Sequence, residues 1–494
     1  MSKIETKSSI GSDAVALTAS KVIIALIGTV TAMLLARFRT LEEYGTYSQI
    51  IMVIDLVSTI LLLGLPNSIN YFLAKADTDE QRKTFLSVYV TVSTVLTIMI
   101  GVSLILALPL IIDYFDNPLI KSFAYVFAVY PWAAIMINSL SNTCIVYGKA
   151  KKLMVFNIAF SLCTLLVLLV AKFFGFSFKQ YMYAYIAAYG FFAVLSLLWI
   201  RYLAGGLSVR IKPQLLKEIF KFSIPIGLAS VVGTLNVELD KLVIGRFFTT
   251  DEYAIFANAA KELPVTMLAT SLTAVLLPRL VRLLKDGENR QAADKWGSAL
   301  CLSFAFMCII VGGFFVFAPD VMSLFYSEKY VTGNGIAVFR IYTIILLLRS
   351  TYWGIVLNAK GKTTYILIAS ILTLVLNVIG NVVFYYLFGF VGPAISTFVV
   401  TVIMALAQIL FTCKIIGIEF KHIFPWVTLL KYSAEMIAFS AAFWAIKKYV
   451  FGGITVRGKS IIVSMILGIV WVILYVFINK NLLLSHWRQL KSED

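Results

Sequence analysis

The sequence predicts an all-α integral membrane protein of about fourteen transmembrane helices, on three observations. The 494 residues are 60% hydrophobic and 14% charged, with a mean hydropathy of +0.92, far from the roughly 45–50% apolar and 25% charged residues of soluble domains. The apolar residues fall in long runs, and the 42 lysines and arginines collect mostly between alternate pairs of those runs. A bilayer core offers no hydrogen-bond partner to a backbone amide, so each run must satisfy its own, as a helix of about 20 residues does. Runs such as SLCTLLVLLVA at 161–171 show none of the two-residue alternation of a membrane strand.

In chain order, the polar segment MSKIETKSSIGSD lacks the apolar core and cleavage site of a secretory signal. It is expected to remain as a cytoplasmic tail. The first two spans, 12–36 and 44–72, flank a charged hinge, ARFRTLEEYGTYS, at 36–48. Four more follow at 84–112, 119–147, 152–174 and 179–203. The seventh and eighth, 218–245 and 251–280, flank a second hinge, GRFFTTDEYAIFA, at 245–257. Spans at 295–318, 332–357, 363–388 and 390–416 complete a second set of six, and 425–447 and 460–480 close the chain. The five cysteines lie in or at the ends of spans without zinc-type spacing, and are expected to be free, buried thiols.

Charge sets the orientation. With the amino terminus inside, 25 of the 42 cations fall in inner segments and 11 in outer loops, as the positive-inside rule requires. Both termini are then cytoplasmic, and the net charge of +17 implies no nucleic-acid partner. One outer loop runs against the bias, with Lys447, Lys448, Arg457 and Lys459 clustered between the last two spans.

The two hinges are copies. Arg37 and Arg246, Glu43 and Glu252, and Tyr44 and Tyr253 stand 209 residues apart, and CIVYGKAKK at 144–152 faces GIVLNAKGK at 354–362 at an offset of 210. A repeat holding six helices begins each copy on the same side of the membrane, so the copies are parallel, related by a pseudo-two-fold axis along the membrane normal. The expected domains are a first lobe at 1–210, a second at 211–420, and the last two helices with a cytoplasmic tail at 421–494.

ARFRTLEEYGTYS, GLPNSINYFLAK at 64–75 and LLPRLVRLL at 276–284, with the 6+6+2 arrangement, resemble the polysaccharide-transporter, or Wzx-type, branch of the multidrug/oligosaccharidyl-lipid/polysaccharide (MOP) flippase superfamily. The resemblance implies two lobes in a V around a central cavity. It also implies a substrate of undecaprenyl-pyrophosphate-linked oligosaccharide, moved from the inner to the outer leaflet of a bacterial inner membrane for O-antigen, capsule or similar polymer. Polymerase and other assembly proteins are implied partners. Lipid II flippases and multidrug/cation antiporters of the same superfamily are the alternatives.

Charges deep in apolar spans are costly and mark pathways or internal pairs. Lys21, Lys241, Lys261 and Arg349 are candidate substrate-binding cations, suited to a diphosphate in a low-dielectric cavity. The competing reading is ion pairing, for instance Lys21 with Asp55, Glu238 with Lys241, or Lys431 with Glu435. Arg349 is preferred to Arg340, nine residues away on the opposite helical face, and its own face carries Tyr342 and Tyr352. Asp55, Glu238, Asp240 and Glu262 are candidates for H⁺ or Na⁺ coupling or for pairing. Arg37, Glu43, Arg246 and Glu252 are expected to fix helix ends or to gate the outer mouth. Asn67, Asn70, Asn138, Asn142, Asn236, Asn258, Asn377 and Asn381 are candidates to line a sugar path or to bond across helices.

No catalytic or metal-binding constellation is read. His422 and His486 have no partner at metal spacing, and GKT at 361–363 lacks the glycine and strand of a phosphate-binding loop. The expected class is a transporter without a cofactor, driven by an ion gradient, the membrane potential or the substrate gradient.

Overall fold

The computed structural model describes residues 9–261, 266–454 and 456–491, helical throughout with no strand among them. The chain divides into two compact units, one of Met1–Glu238 with Gly245–Ala254, the other of Leu239–Ile244 with Ile255–Asp494.

The first unit contains α1 (Ser9–Phe38), α2 (Leu41–Leu62), α3 (Ser68–Lys75), α4 (Asp79–Leu106), α5 (Leu108–Phe115), α6 (Ala124–Val146), α7 (Ala150–Phe173) and α8 (Phe178–Leu203), and most of α9 (Pro213–Phe247). The second is built from α10 (Thr250–Ala259, its first turns grouped with the first unit), α11 (Met267–Lys285), α12 (Asn289–Val316), α13 (Ala318–Phe325), α14 (Gly333–Leu348), α15 (Ile355–Ala359), α16 (Thr363–Phe388), α17 (Gly392–Ile416), α18 (Phe420–Ile423), α19 (Trp426–Ala445) and α20 (Arg457–Lys491). Eleven stretches of the described residues are long and apolar enough to cross a membrane, one of them, Thr363–Ile416, holding both α16 and α17.

Four spans expected to be continuous are broken, among them 84–112, interrupted at Ala107 between α4 and α5. The run 44–72 stops at Leu62, because Leu63 and Gly64 take left-handed backbone (φ 43° and 72°) and Pro66 starts a new turn before α3. In the run 251–280, helix stops at Ala259, with Ala260 in a turn and Lys261 outside helix, and α11 begins at Met267. The run 332–357 ends at Leu348 and resumes as the short α15. The last run is longer than expected, since α20 continues to Lys491.

The repeat is visible in these elements. Both α4 and α12 have 28 residues, and each is followed after one residue by an eight-residue helix with proline in its first turn, Pro109 in α5 and Pro319 in α13, at an offset of 210. The hinges repeat at atomic detail. The Thr40 hydroxyl accepts from the Glu43 amide at 3.1 Å, while the Glu43 carboxylate accepts from the Thr40 amide at 3.2 Å. Thr249 and Glu252 make the same reciprocal pair at 3.3 and 3.0 Å. Each box satisfies amides that a helix start leaves open. Thr40→Ala and Thr249→Ala are each expected to cost about 1 kcal/mol, read as a lower melting temperature of the detergent-purified protein.

The copies also touch within the first unit. A side chain at Gly45 would meet the Thr250 backbone at 2.5 Å, and the Tyr253 hydroxyl lies 3.5 Å from the Met52 sulfur. In each unit the buried centre is aromatic and aliphatic: Leu65, Ile69, Phe85 and Tyr89 in the first, Trp296, Tyr432, Trp471 and Tyr475 in the second. Large side chains such as Leu106, Phe173, Tyr386 and Phe477 face outward, the inverse of a soluble fold and the surface a lipid solvent accepts.

Candidate functional site

In the second unit the break after α14 positions the first group of charges. Arg349 is the residue at which the helix ends, its amide shared between the carbonyls of Ile345 and Leu346. Two tryptophans pin the turn that follows: Trp353 Nε1 donates to the Leu348 carbonyl at 2.6 Å and Trp296 Nε1 to the Thr351 hydroxyl at 3.0 Å. The half-buried Arg349 side chain is thereby turned into a small cavity that it shares with Lys261, Phe339, Tyr342 and Thr343. Lys261 reaches the cavity because α10 has ended two residues before it.

Lys241 lies within electrostatic range of Lys261, and Asp240, buried at 3% exposure, within range of Arg349. Three of the four expected cations are therefore drawn together near the Asp240 carboxylate. Buried polar atoms without a partner stand close by. The Tyr342 hydroxyl has no partner among the described residues, nor do the amide atoms of buried Asn258, one turn before Lys261. Interrupted helices with side chains and carbonyls turned into a cavity are how membrane proteins build polar sites at depth.

In the first unit a cavity of about 390 Å³ lies where α2 breaks. Asp55, Ser58, Thr59, Asn67, Asn138 and Asn142 line it, and the amides form a chain, Asn70 donating to Asn142 at 3.2 Å and Asn142 to Asn138 at 3.0 Å. Beside it stands a group of tyrosines that sequence reading missed. Tyr181, Tyr185 and Tyr189 follow one another on α8 with ring centres 5.9 and 4.8 Å apart; Tyr47 reaches the Tyr185 hydroxyl at 3.3 Å, and Tyr130 packs on Tyr189 at 4.9 Å. Tyr47, Tyr130 and Tyr189 lie within electrostatic range of Asp55. The i, i+4 spacing of tyrosines on α8 was the available signal.

The remaining expected residues are dispersed. Lys21 is exposed on α1, Glu238 is half-buried on α9, and Glu262 lies outside the described residues. Arg37 is exposed in the last turn of α1. Arg246 donates to the Asp113 carbonyl at 2.9 Å and lies 5.7 Å from the Tyr114 ring centre, capping α5. Glu43 and Glu252 are engaged in the capping boxes. Lys431 pairs with Glu435 at 3.7 Å, and Arg340 donates to the Phe315 carbonyl at 3.0 Å. Tyr352 does not share a helical face with Arg349, because the helix ends between them. All five cysteines are free, but Cys163 and Cys413 are only half-buried.

Comparison with known proteins adds family and fold. The sequence profile described as polysaccharide biosynthesis protein matches residues 34–334. A capsular polysaccharide biosynthesis protein, CapF, of Staphylococcus aureus is 28% identical over 149 residues, 30% of this chain and 37% of that protein. A probable low-salt glycan biosynthesis flippase, Agl15, of Haloferax volcanii is 20% identical over 207 residues, 42% of this chain and 44% of that protein. The chain thus spans less than half the length of these curated relatives. Among solved structures, the lipid II flippase MurJ in an inward closed conformation superposes with a TM-score of 0.73 at 16% identity, over 95% of this chain and 99% of that one. An inward-facing multidrug resistance MATE family transporter of the MOP superfamily gives 0.63 at 17%, over 80% and 94%.

Proposed function

Because this chain belongs to the polysaccharide biosynthesis protein family and has the fold of MOP-superfamily transporters, we propose that it is a flippase moving an undecaprenyl-pyrophosphate-linked oligosaccharide from the inner to the outer leaflet. The work is alternating access of two six-helix lobes, with two further helices appended, in a bacterial inner membrane with both termini cytoplasmic. The observation that carries the reading is the meeting of Lys241, Lys261 and Arg349 at the broken end of α14, beside the buried Tyr342 hydroxyl, which has no partner among the described residues. A diphosphate is a dense, doubly charged ligand, and a guanidinium with two ammonium groups in a low-dielectric setting suits it. Lys21 is proposed as a fourth contact.

The cavity of the first unit complements this site chemically. Its amides and hydroxyls present donors and acceptors to sugar hydroxyls, and the adjacent tyrosines offer ring faces. Asp55, Asp240, Glu238 and Glu262 remain the proposed groups for H⁺ or Na⁺ coupling, and Arg37 and Arg246 for closing the outer mouth. The product serves O-antigen, capsule or related assembly, with a polymerase downstream. Deleting the gene and identifying by mass spectrometry the lipid-linked glycan that accumulates on the inner leaflet tests the reading. No accumulated glycan, with drug efflux lost instead, would move the protein to the multidrug antiporters.

A further inference from the structure

The cationic loop that runs against the charge bias leads to a second site. The buried Asp320 (2% exposed), at the start of α13, receives Lys447, Arg457 Nη1 at 3.6 Å, and the hydroxyls of Ser460 and Ser464 at 2.9 and 2.7 Å. Asp320 thus explains why this loop carries cations at all: a buried carboxylate must be paired. Yet Lys447, Lys448, Arg457 and Lys459 are four against two carboxylates, Asp320 and Glu328, the latter 3.8 Å from Arg457. Positive charge is left over.

Asp320, with Lys447 and Arg457 paired to it, lines one end of a crevice of about 360 Å³ between α12, α13 and α20, whose other walls are almost wholly apolar, from groups such as Ile310, Phe314, Leu324, Met465 and Val472. Along α20 the lining runs from Ile461 to Val472, about 16 Å at 1.5 Å per residue, or half of a hydrocarbon core of about 30 Å. Lys447 stands 5.3 Å from the ring centre of Phe317, which also lines the crevice. Lys448 lies 4.7 and 5.4 Å from the rings of Trp444 and Tyr449, the aromatic and cationic pairing found at headgroup level. We infer that this crevice holds one acyl chain of an anionic diacyl phospholipid, its phosphate met by the cations around Asp320. The depth matches a chain confined to one leaflet, and the surplus cations select an anionic headgroup over a zwitterionic one. The site is independent of the transport reading.

Two glycines allow a clean test. Gly313 and Gly468 line the crevice, and a side chain begun at either meets nothing within 4 Å, so leucine there fills the space from either wall. The full-length protein, delipidated in detergent, is titrated with phosphatidylglycerol or phosphatidylcholine and followed by native mass spectrometry and thermal melting. One phosphatidylglycerol is expected to bind per chain at least tenfold more tightly than phosphatidylcholine, and to raise the melting temperature. Gly468→Leu is expected to weaken it at least tenfold, and Lys448→Gln with Lys459→Gln to bring it to the phosphatidylcholine level. If Gly468→Leu melts early without lipid, Gly313→Leu takes its place. Equal binding of the two lipids, an undiminished adduct in the leucine variants, or displacement by an equal concentration of a polyprenyl phosphate would overturn the assignment.

Discussion

Lys261→Ala and Arg349→Ala, each at wild-type abundance, are expected to lower polymer export at least tenfold and to leave lipid-linked oligosaccharide on the inner leaflet. A hydrogen bond to a charged group contributes about 1.5–3 kcal/mol, and about 1.4 kcal/mol is tenfold in affinity, so loss of one cation from the cluster reaches that threshold. Arg349→Lys is expected to recover export in part, since it keeps the charge but not the planar fork that grips two phosphate oxygens. Arg340→Ala is the control. Its guanidinium donates to the Phe315 carbonyl and lies 5.2 Å from the Phe315 ring centre, so export should stay within about twofold. Wild-type export from both Lys261→Ala and Arg349→Ala would sink the cation site while leaving the family assignment standing.

Gly227→Val should be the most damaging single substitution in the first unit. A side chain begun at Gly227, on α9, would run into the carbonyl carbon and oxygen of Leu63, and one begun at Gly64 would run into the amide of Gly227. Two backbones thus meet with only glycine between them, where α2 is turned by the left-handed Leu63–Gly64 pair. A flexible side chain can move aside; a backbone cannot. Overpacking costs about 1–3 kcal/mol, and here it also displaces the turn that shapes the cavity around Asp55 and Asn67. Thermal melting and export are both expected to fall. Gly233→Ala, six residues along the same helix in open space, should leave both near wild type. A Gly227→Val protein that melts and exports normally would show that the contact is dispensable.

Much of the fold was legible because its causes are local. Run length, the capping signature of Thr and Glu three apart, and prolines at helix starts act over a few residues. The hinge is the clearest case: ARFRTLEEYGTYS and GRFFTTDEYAIFA read as copies from their letters, and the structure gives both the same capping box. Periodicity failed where helices break. Leu63–Gly64, Ala260–Lys261 and Arg349–Tyr352 interrupt runs whose hydropathy is unbroken or nearly so, because hydropathy reports solvent and not backbone angle. Placing Tyr352 on the Arg349 face was wrong for that reason.

By itself the sequence determined that this chain is an all-α membrane protein, with a hinge motif repeated about 210 residues apart and cations stranded in its apolar spans. Those properties are sums and spacings along one dimension, and a bilayer enforces them directly. Only the tertiary structure decided which stranded charges meet. It gathers Lys241, Lys261 and Arg349 from distant parts of the chain, binds Lys431 to Glu435, spends Glu43 and Glu252 on helix caps, and sets Asp55 beside Tyr189, 134 residues away. Whether a buried charge is paired or poised for a ligand depends on what stands within a few ångströms of it in space, and that neighbourhood is made by helix breaks and packing that no single run contains.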